Sequence, residues 1–137
     1  MKENILISTG GSGGHVVPAQ TLYEHLKDEF NVFLTSDLRG SKFFENNNKN
    51  FKIINVLPLT QNIFLLPWRV AIFFLSILKS FTYLKSKKIK TIISTGGYMS
   101  LPICISAKIL NLKVILFEPN LVLGRSNLFF LNYCSSI

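Results

Sequence analysis

Two short β-branched runs, Ile5 to Thr9 and Thr91 to Thr95, each end in a glycine-rich turn and each lead into a helix-compatible segment. The turns are Gly10-Gly11-Ser12-Gly13-Gly14-His15 and Gly96-Gly97-Tyr98, and together they hold six of the eight glycines in the chain. A glycine-rich strand-to-helix turn lets the backbone come close to a phosphate. The first N–H groups of the following helix lack intrahelical partners, and the helix dipole favours an anion there. Two such turns on one parallel sheet would build one cleft for one highly charged ligand.

The rest of the chain alternates in the same manner. Strand-like runs cover Asn4–Ser8, Asn31–Thr35, Phe51–Val56, Thr91–Ser94 and Lys113–Phe117. Each is nearly continuous in apolar residues, as strands covered on both faces are. Helix-like segments cover Val17–Glu29, Arg39–Glu45, Pro67–Ser86, Leu101–Leu110 and Arg125–Leu131. This alternation predicts an α/β fold with a Rossmann-like open parallel sheet and right-handed crossovers. Ligands of such sheets bind at the carboxyl ends of the strands, where both glycine turns fall. The polar stretch 46–50 reads as a surface loop.

By length, residues 1–137 form one domain with room for its own core. A formal charge of +8 exceeds what solvation requires and points to an anionic partner. Nucleic acid is not expected, because the basic residues flank an aliphatic and aromatic run and line no polar groove. Cys104 and Cys134 have no metal-ligand spacing with each other or with the two histidines. Cys104, in an apolar helical stretch, reads as a buried inert thiol, and no disulfide framework is indicated. No carboxylate cluster suggests a tightly held metal. The first residues run straight into a strand, so a signal peptide is not expected.

The first turn departs from two known phosphate-binding patterns. Val16 stands where a dinucleotide fingerprint would have its third glycine, and Asp37 is the acidic residue nearest the ribose position. No Gly-Lys-Ser/Thr follows, which excludes a Walker A loop. His15 lies at the start of a helix, where the positive dipole end disfavours its protonation and leaves a proton acceptor. It is either a general base beside a phosphate-bearing acceptor or a side chain that only ties the loop. His25 reads as a surface or packing residue. Glu118 and Asn120, at the carboxyl end of the fifth strand, suit directed hydrogen bonds to sugar hydroxyls. Pro119-Asn120 equally suits a plain turn.

From Ile63 to Phe81 the chain is almost wholly apolar. Arg69 and Lys79 make a bilayer span costly, and Pro67 suits the first turn of a helix. Turned at about 100° per residue, Arg69, Ser76, Lys79, Ser80 and Lys87 share one polar arc. Phe73, Phe74, Ile77, Leu78, Phe81 and Leu84 spread over about 150°, wider than a helix needs to cover a sheet. Trp68 precedes this face and Lys85, Lys87, Lys88 and Lys90 follow it. Such a combination predicts docking on an anionic membrane surface, through Trp68, Arg69, Phe73, Phe74 and Lys79. The alternative is a helix buried between the sheet and a partner domain.

The two glycine turns, Met99-Ser100 after the second, and Glu118-Pro119-Asn120 resemble, in that order and at these separations, the N-terminal domain of the MurG family. These are membrane-associated glycosyltransferases of bacterial peptidoglycan synthesis, and the resemblance covers essentially the whole chain. It implies the N-terminal half of a GT-B fold, with a C-terminal donor domain absent from residues 1–137. It also implies transfer of N-acetylglucosamine from UDP-GlcNAc to the muramoyl 4-hydroxyl of undecaprenyl-linked lipid I, giving lipid II with inversion. No cofactor is implied, and the expected location is peripheral, on the cytoplasmic face of the bacterial inner membrane.

By the same resemblance, Gly10, Gly11, Ser12, Gly13, Gly14, Gly96, Gly97 and Tyr98 would hold the acceptor diphosphate. His15 would be the catalytic base or orient the acceptor. Asn120 and Glu118 would meet the donor sugar. The basic apolar helix corresponds to the membrane-association patch. Ser12 replaces a threonine frequent in the family and keeps its hydroxyl. Phe117 and Pro119 replace a histidine and a glutamine, so catalysis should not depend on a titratable group at 117.

Residues 132–137 look like the start of a further strand, which favours reading the chain as a fragment. A membrane-associated subunit of a split polyprenyl-linked GlcNAc transferase is the alternative. A non-catalytic lipid-phosphate binding module and a nucleotide-dependent Rossmann enzyme are the remaining readings. On the first two, this chain alone would bind acceptor and membrane without turnover.

Overall fold

Side-chain alternation along each strand decides how the layers form. In the computed structural model, residues 2–11, 13–44, 50–56, 64–118 and 125–136 are described. Their strands are β1 (Asn4–Ser8), β2 (Asn31–Ser36), β3 (Phe51–Ile53), β4 (Thr91–Ser94) and β5 (Lys113–Leu116). Their helices are α1 (Gly13–Leu26), α2 (Leu66–Ser86), α3 (Ser100–Ile109) and α4 (Arg125–Phe130), with a 3₁₀ turn at Gly40–Phe43. The strands form one parallel sheet in the order β3-β2-β1-β4-β5.

Leu6 and Ile92 point to one face, where they pack with Leu84 of α2 and with Ile103, Cys104 and Ala107 of α3. Ile5, Ile7 and Ile93 point to the other and meet Val16 and Ala19 of α1. Both faces of the central strands are thereby covered, which is why their sequences lack polar alternation. Burial pushes the Cys104 thiol up to about 12, against a weaker opposing hydrogen bond with Ser94. The thiol is buried, as expected.

The connections reverse direction between β1 and β4. From β1 the chain moves outward through β2 to β3, and then β4 and β5 are laid on the opposite side. Ser8 is level with Ser94 across this point. The loops that leave β1 and β4 therefore diverge from adjacent strand ends, which is the crevice where open parallel sheets bind ligands.

Several boundaries differ from those read in the sequence. Helix α1 begins at Gly13, not Val17, so Gly13, Gly14 and His15 form its first turn. The segment expected as a helix over 39–45 is a single 3₁₀ turn. Strand β3 stops at Ile53, on the sheet edge, although Ile54 still donates its N–H to the Ser36 carbonyl at 3.0 Å. Of the strand expected over 132–137, one parallel bridge is present, Ser136 beside Ile115.

Helix α2 corrects the expected polar arc. Ser76 and Ser80 are 3% and 0% exposed and face inward with Leu84, whereas Trp68, Phe74 and Leu78 are at least 60% exposed. Ser76 and Ser80 are small, and each hydroxyl donates to a carbonyl one turn back, Ile72 at 2.8 Å and Ser76 at 2.7 Å. Satisfied in this way, they enter the core without a desolvation penalty and let neighbouring backbone approach closely. Ser106 of α3 donates to the Ile77 carbonyl at 2.9 Å across that contact. Phe73, expected with Phe74 on the outward face, turns inward and packs its ring on Tyr98, centroids 6.1 Å apart. No helix among the described residues is long and apolar enough to cross a membrane.

Candidate functional site

The two glycine turns are in backbone contact. A Cβ on Gly97 would lie 2.8 Å from the Gly10 carbonyl oxygen, and φ at Gly97 is +89°. Both the conformation and the contact require glycine there. Gly96, with φ of +94°, would place a Cβ 3.1 Å from the His15 ring. The second turn is thus flat enough to seat the first turn on one side and an imidazole on the other.

Thr95 holds His15 from two directions. The His15 Nδ1–H donates to the Thr95 carbonyl at 2.7 Å, and the Thr95 hydroxyl donates to the His15 carbonyl at 3.0 Å. A carbonyl only accepts, so Nδ1 carries a proton, and Nε2 is the ring nitrogen able to accept one. The histidine spans the crevice, since its backbone belongs to α1 and its ring is fixed by the loop after β4.

A second network reaches the end of β5. Asn127 of α4, 1% exposed, donates from Nδ2 to Glu118 Oε2 at 3.2 Å. Its Oδ1 accepts from the Ser94 hydroxyl at 3.4 Å, and the Ser94 oxygen accepts the Gly96 N–H at 3.3 Å. Glu118 is therefore connected to the same glycine turn that seats His15. Thr95 and Asn127 were missed in the sequence, where a threonine ending a strand and an asparagine in a short helix carry no signal.

Gly11 has an internal partner. Its N–H donates to Asp37 Oδ1 at 3.2 Å, so that donor is already taken by an internal carboxylate. Asp37 also accepts from the Gly40 N–H at 2.7 Å and pairs with Arg39 at 3.0 Å. Burial pushes this carboxyl upward. The Gly40 and Gly11 N–H groups and the Arg39 guanidinium outweigh burial and hold it below the usual carboxylate range. Asp37 thus fastens the first turn to the loop after β2, a use unlike that of a ribose-binding acid.

Gly10, Gly13, Gly14, Gly96, Gly97 and His15 gather at the switch point, and Tyr98 joins them to α2 through Phe73. Trp68, Arg69, Phe74 and Lys79 lie along α2 instead. Ser12 and Asn120 fall outside the described residues.

The fold is that of the N-terminal, Rossmann-like half of a GT-B glycosyltransferase. The glycosyltransferase family 28 N-terminal domain matches residues 5–137, and the chain belongs to that family. A UDP-N-acetylglucosamine–N-acetylmuramyl-(pentapeptide) pyrophosphoryl-undecaprenol N-acetylglucosamine transferase of Pelagibacter ubique is 55% identical over all 137 residues. The chain spans 38% of that relative's length. The Acinetobacter baumannii MurG structure superposes with a TM-score of 0.83 at 21% identity, over 97% of this chain and 40% of that one. A UDP-N-acetylglucosamine 2-epimerase superposes at 0.64 with 15% identity, over 95% and 37% of the two chains. A different activity on the same fold leaves function to be argued from the site and the sequence.

Proposed function

We propose that this chain is the acceptor half of an inverting transferase. The whole enzyme would move N-acetylglucosamine from UDP-GlcNAc to undecaprenyl-diphospho-muramoyl-pentapeptide at the cytoplasmic face of the inner membrane. The observation that carries this reading is the 55% identity, along the entire chain, to a relative bearing that activity in its name.

The geometry supports a division of labour. Glycine backbone from the loops after β1 and β4, with the first turn of α1, offers N–H groups to the acceptor diphosphate. His15 Nε2 takes the proton of the muramoyl 4-hydroxyl as that oxygen attacks the anomeric carbon. The bond from that carbon to the UDP oxygen breaks, and UDP leaves with the electron pair. Because Thr95 fixes the ring, no reorientation is needed as charge develops. Glu118, held by Asn127, and Asn120 meet the donor sugar from the β5 end. A second domain, outside residues 1–137, supplies the remaining donor contacts, and the outward residues of α2 hold the protein at the membrane.

The test is turnover of UDP-GlcNAc with a lipid I analogue by this chain joined to the remainder of its coding frame. Loss of a general base costs on the order of 10²–10⁴ in rate. His15→Ala should therefore lower kcat at least about a hundredfold, with KM for UDP-GlcNAc little changed. Turnover at the wild-type rate would remove His15 from the mechanism.

A further inference from the structure

We propose that the cavity between the turn after β2 and the flank of α2 receives the first isoprenoid units of a lipid diphosphate. Arg39 and Lys79 would hold its phosphate end. This rests on the acceptor reading above and adds the path by which the lipid leaves the diphosphate site.

The cavity measures about 630 Å³, within the range of small-molecule sites. Leu38, Val56, Ile72 and Leu75 form its apolar wall. Its buried polar groups are already satisfied. The Ser76 hydroxyl lies 3.1 Å from the Asn55 carbonyl and 2.8 Å from that of Ile72, and Asp37 is met by Gly40, Gly11 and Arg39. With Asp37 balanced by Arg39, the surplus charge of the lining is that of Lys79, and the Arg39 side chain is still largely exposed. An apolar wall with a net positive rim suits an anionic head on an apolar chain. A base or a sugar would instead need several neutral donors and acceptors, and Asn55 is the one side-chain amide among the lining residues.

Location gives the second argument. Arg39 Nη2 lies 3.2 Å from where a Gly11 side chain would begin, so one end of the cavity abuts the first glycine turn. The other wall is α2, whose Phe74 and Leu78 are 60% exposed. The cavity therefore joins the phosphate-gripping loop to the helix that faces the bilayer. A lipid-linked acceptor needs such a passage.

Calorimetric titration of the chain with farnesyl diphosphate and with inorganic pyrophosphate tests this. The wild type should bind farnesyl diphosphate at least about tenfold more tightly. Asn55→Trp fills the cavity from an exposed position after β3, and Leu38→Trp fills it from the turn after β2. Each should remove that advantage while leaving pyrophosphate affinity unchanged. Arg39→Gln combined with Lys79→Gln should weaken farnesyl diphosphate about tenfold. Folded Trp variants that bind farnesyl diphosphate like wild type would overturn the proposal and leave the acceptor reading standing. So would equal wild-type affinity for the two ligands. Wild-type protein that binds neither ligand would overturn both. Dihexanoyl phosphatidylglycerol competing as strongly as farnesyl diphosphate would assign the cavity to membrane phospholipid and overturn the isoprenoid assignment.

Discussion

His15, Thr95 and Gly96 form the smallest unit that explains the site. The ring is held by a carbonyl, the carbonyl belongs to Thr95 between β4 and the second glycine turn, and Gly96 leaves room for the imidazole. These partners are 80 residues apart, so no local pattern could pair them. The glycines themselves were legible, because few other reasons place two such turns after apolar strands. Gly97→Ala should destabilise on the order of 2 kcal/mol, combining a positive φ with a clash against the Gly10 carbonyl. Thermal unfolding should show a fall of several degrees. Asp37 sets a pH dependence with a definite sign. Its carboxyl is held below its unfolded value, so its stabilisation is present above the ordinary carboxylate range and is lost as pH falls through the lower folded value. Asp37→Asn should flatten the acid limb of a plot of Tm against pH, and an unchanged limb would show that the Gly11–Asp37–Arg39 contact contributes nothing.

Among the elements, the central strands matched their sequence readings and the helices matched less closely. Burial on both faces makes β1 and β4 continuous apolar runs, so composition alone marks them. The start of α1 was hidden because Gly13, Gly14 and Pro18 all weaken helix propensity, yet all three lie inside the helix. Helix α2 was turned the wrong way because hydropathy treats serine as polar, whereas its small size and a bond to its own backbone suit it to a tight interface. The inward serines leave more large apolar surface outside than the wheel implied. Two variants separate the faces. Phe74→Asp/Leu78→Asp should reduce partition onto phosphatidylglycerol liposomes at least about tenfold with Tm nearly unchanged. Ser80→Leu should do the reverse, lowering Tm by overpacking worth about 1–3 kcal/mol and preserving liposome binding. Sedimentation with liposomes and thermal unfolding read the two effects independently.

Across the whole molecule, the glycine crevice and the outward face of α2 are joined by Tyr98 on Phe73 and by the cavity at Arg39. A charge of +8 favours the approach of such a body to an anionic surface. The family was legible because three short motifs kept their order and spacing. The Asn127 network was not, since it unites three segments through a buried amide. The proposed division of labour between this chain and a second domain is tested most directly by equilibrium binding to this chain alone. A soluble lipid I analogue carrying a short prenyl diphosphate should bind saturably and be displaced by farnesyl diphosphate, whereas UDP-GlcNAc should bind far more weakly or not at all. Tighter binding of UDP-GlcNAc than of the acceptor analogue would contradict assignment of this chain to the acceptor side.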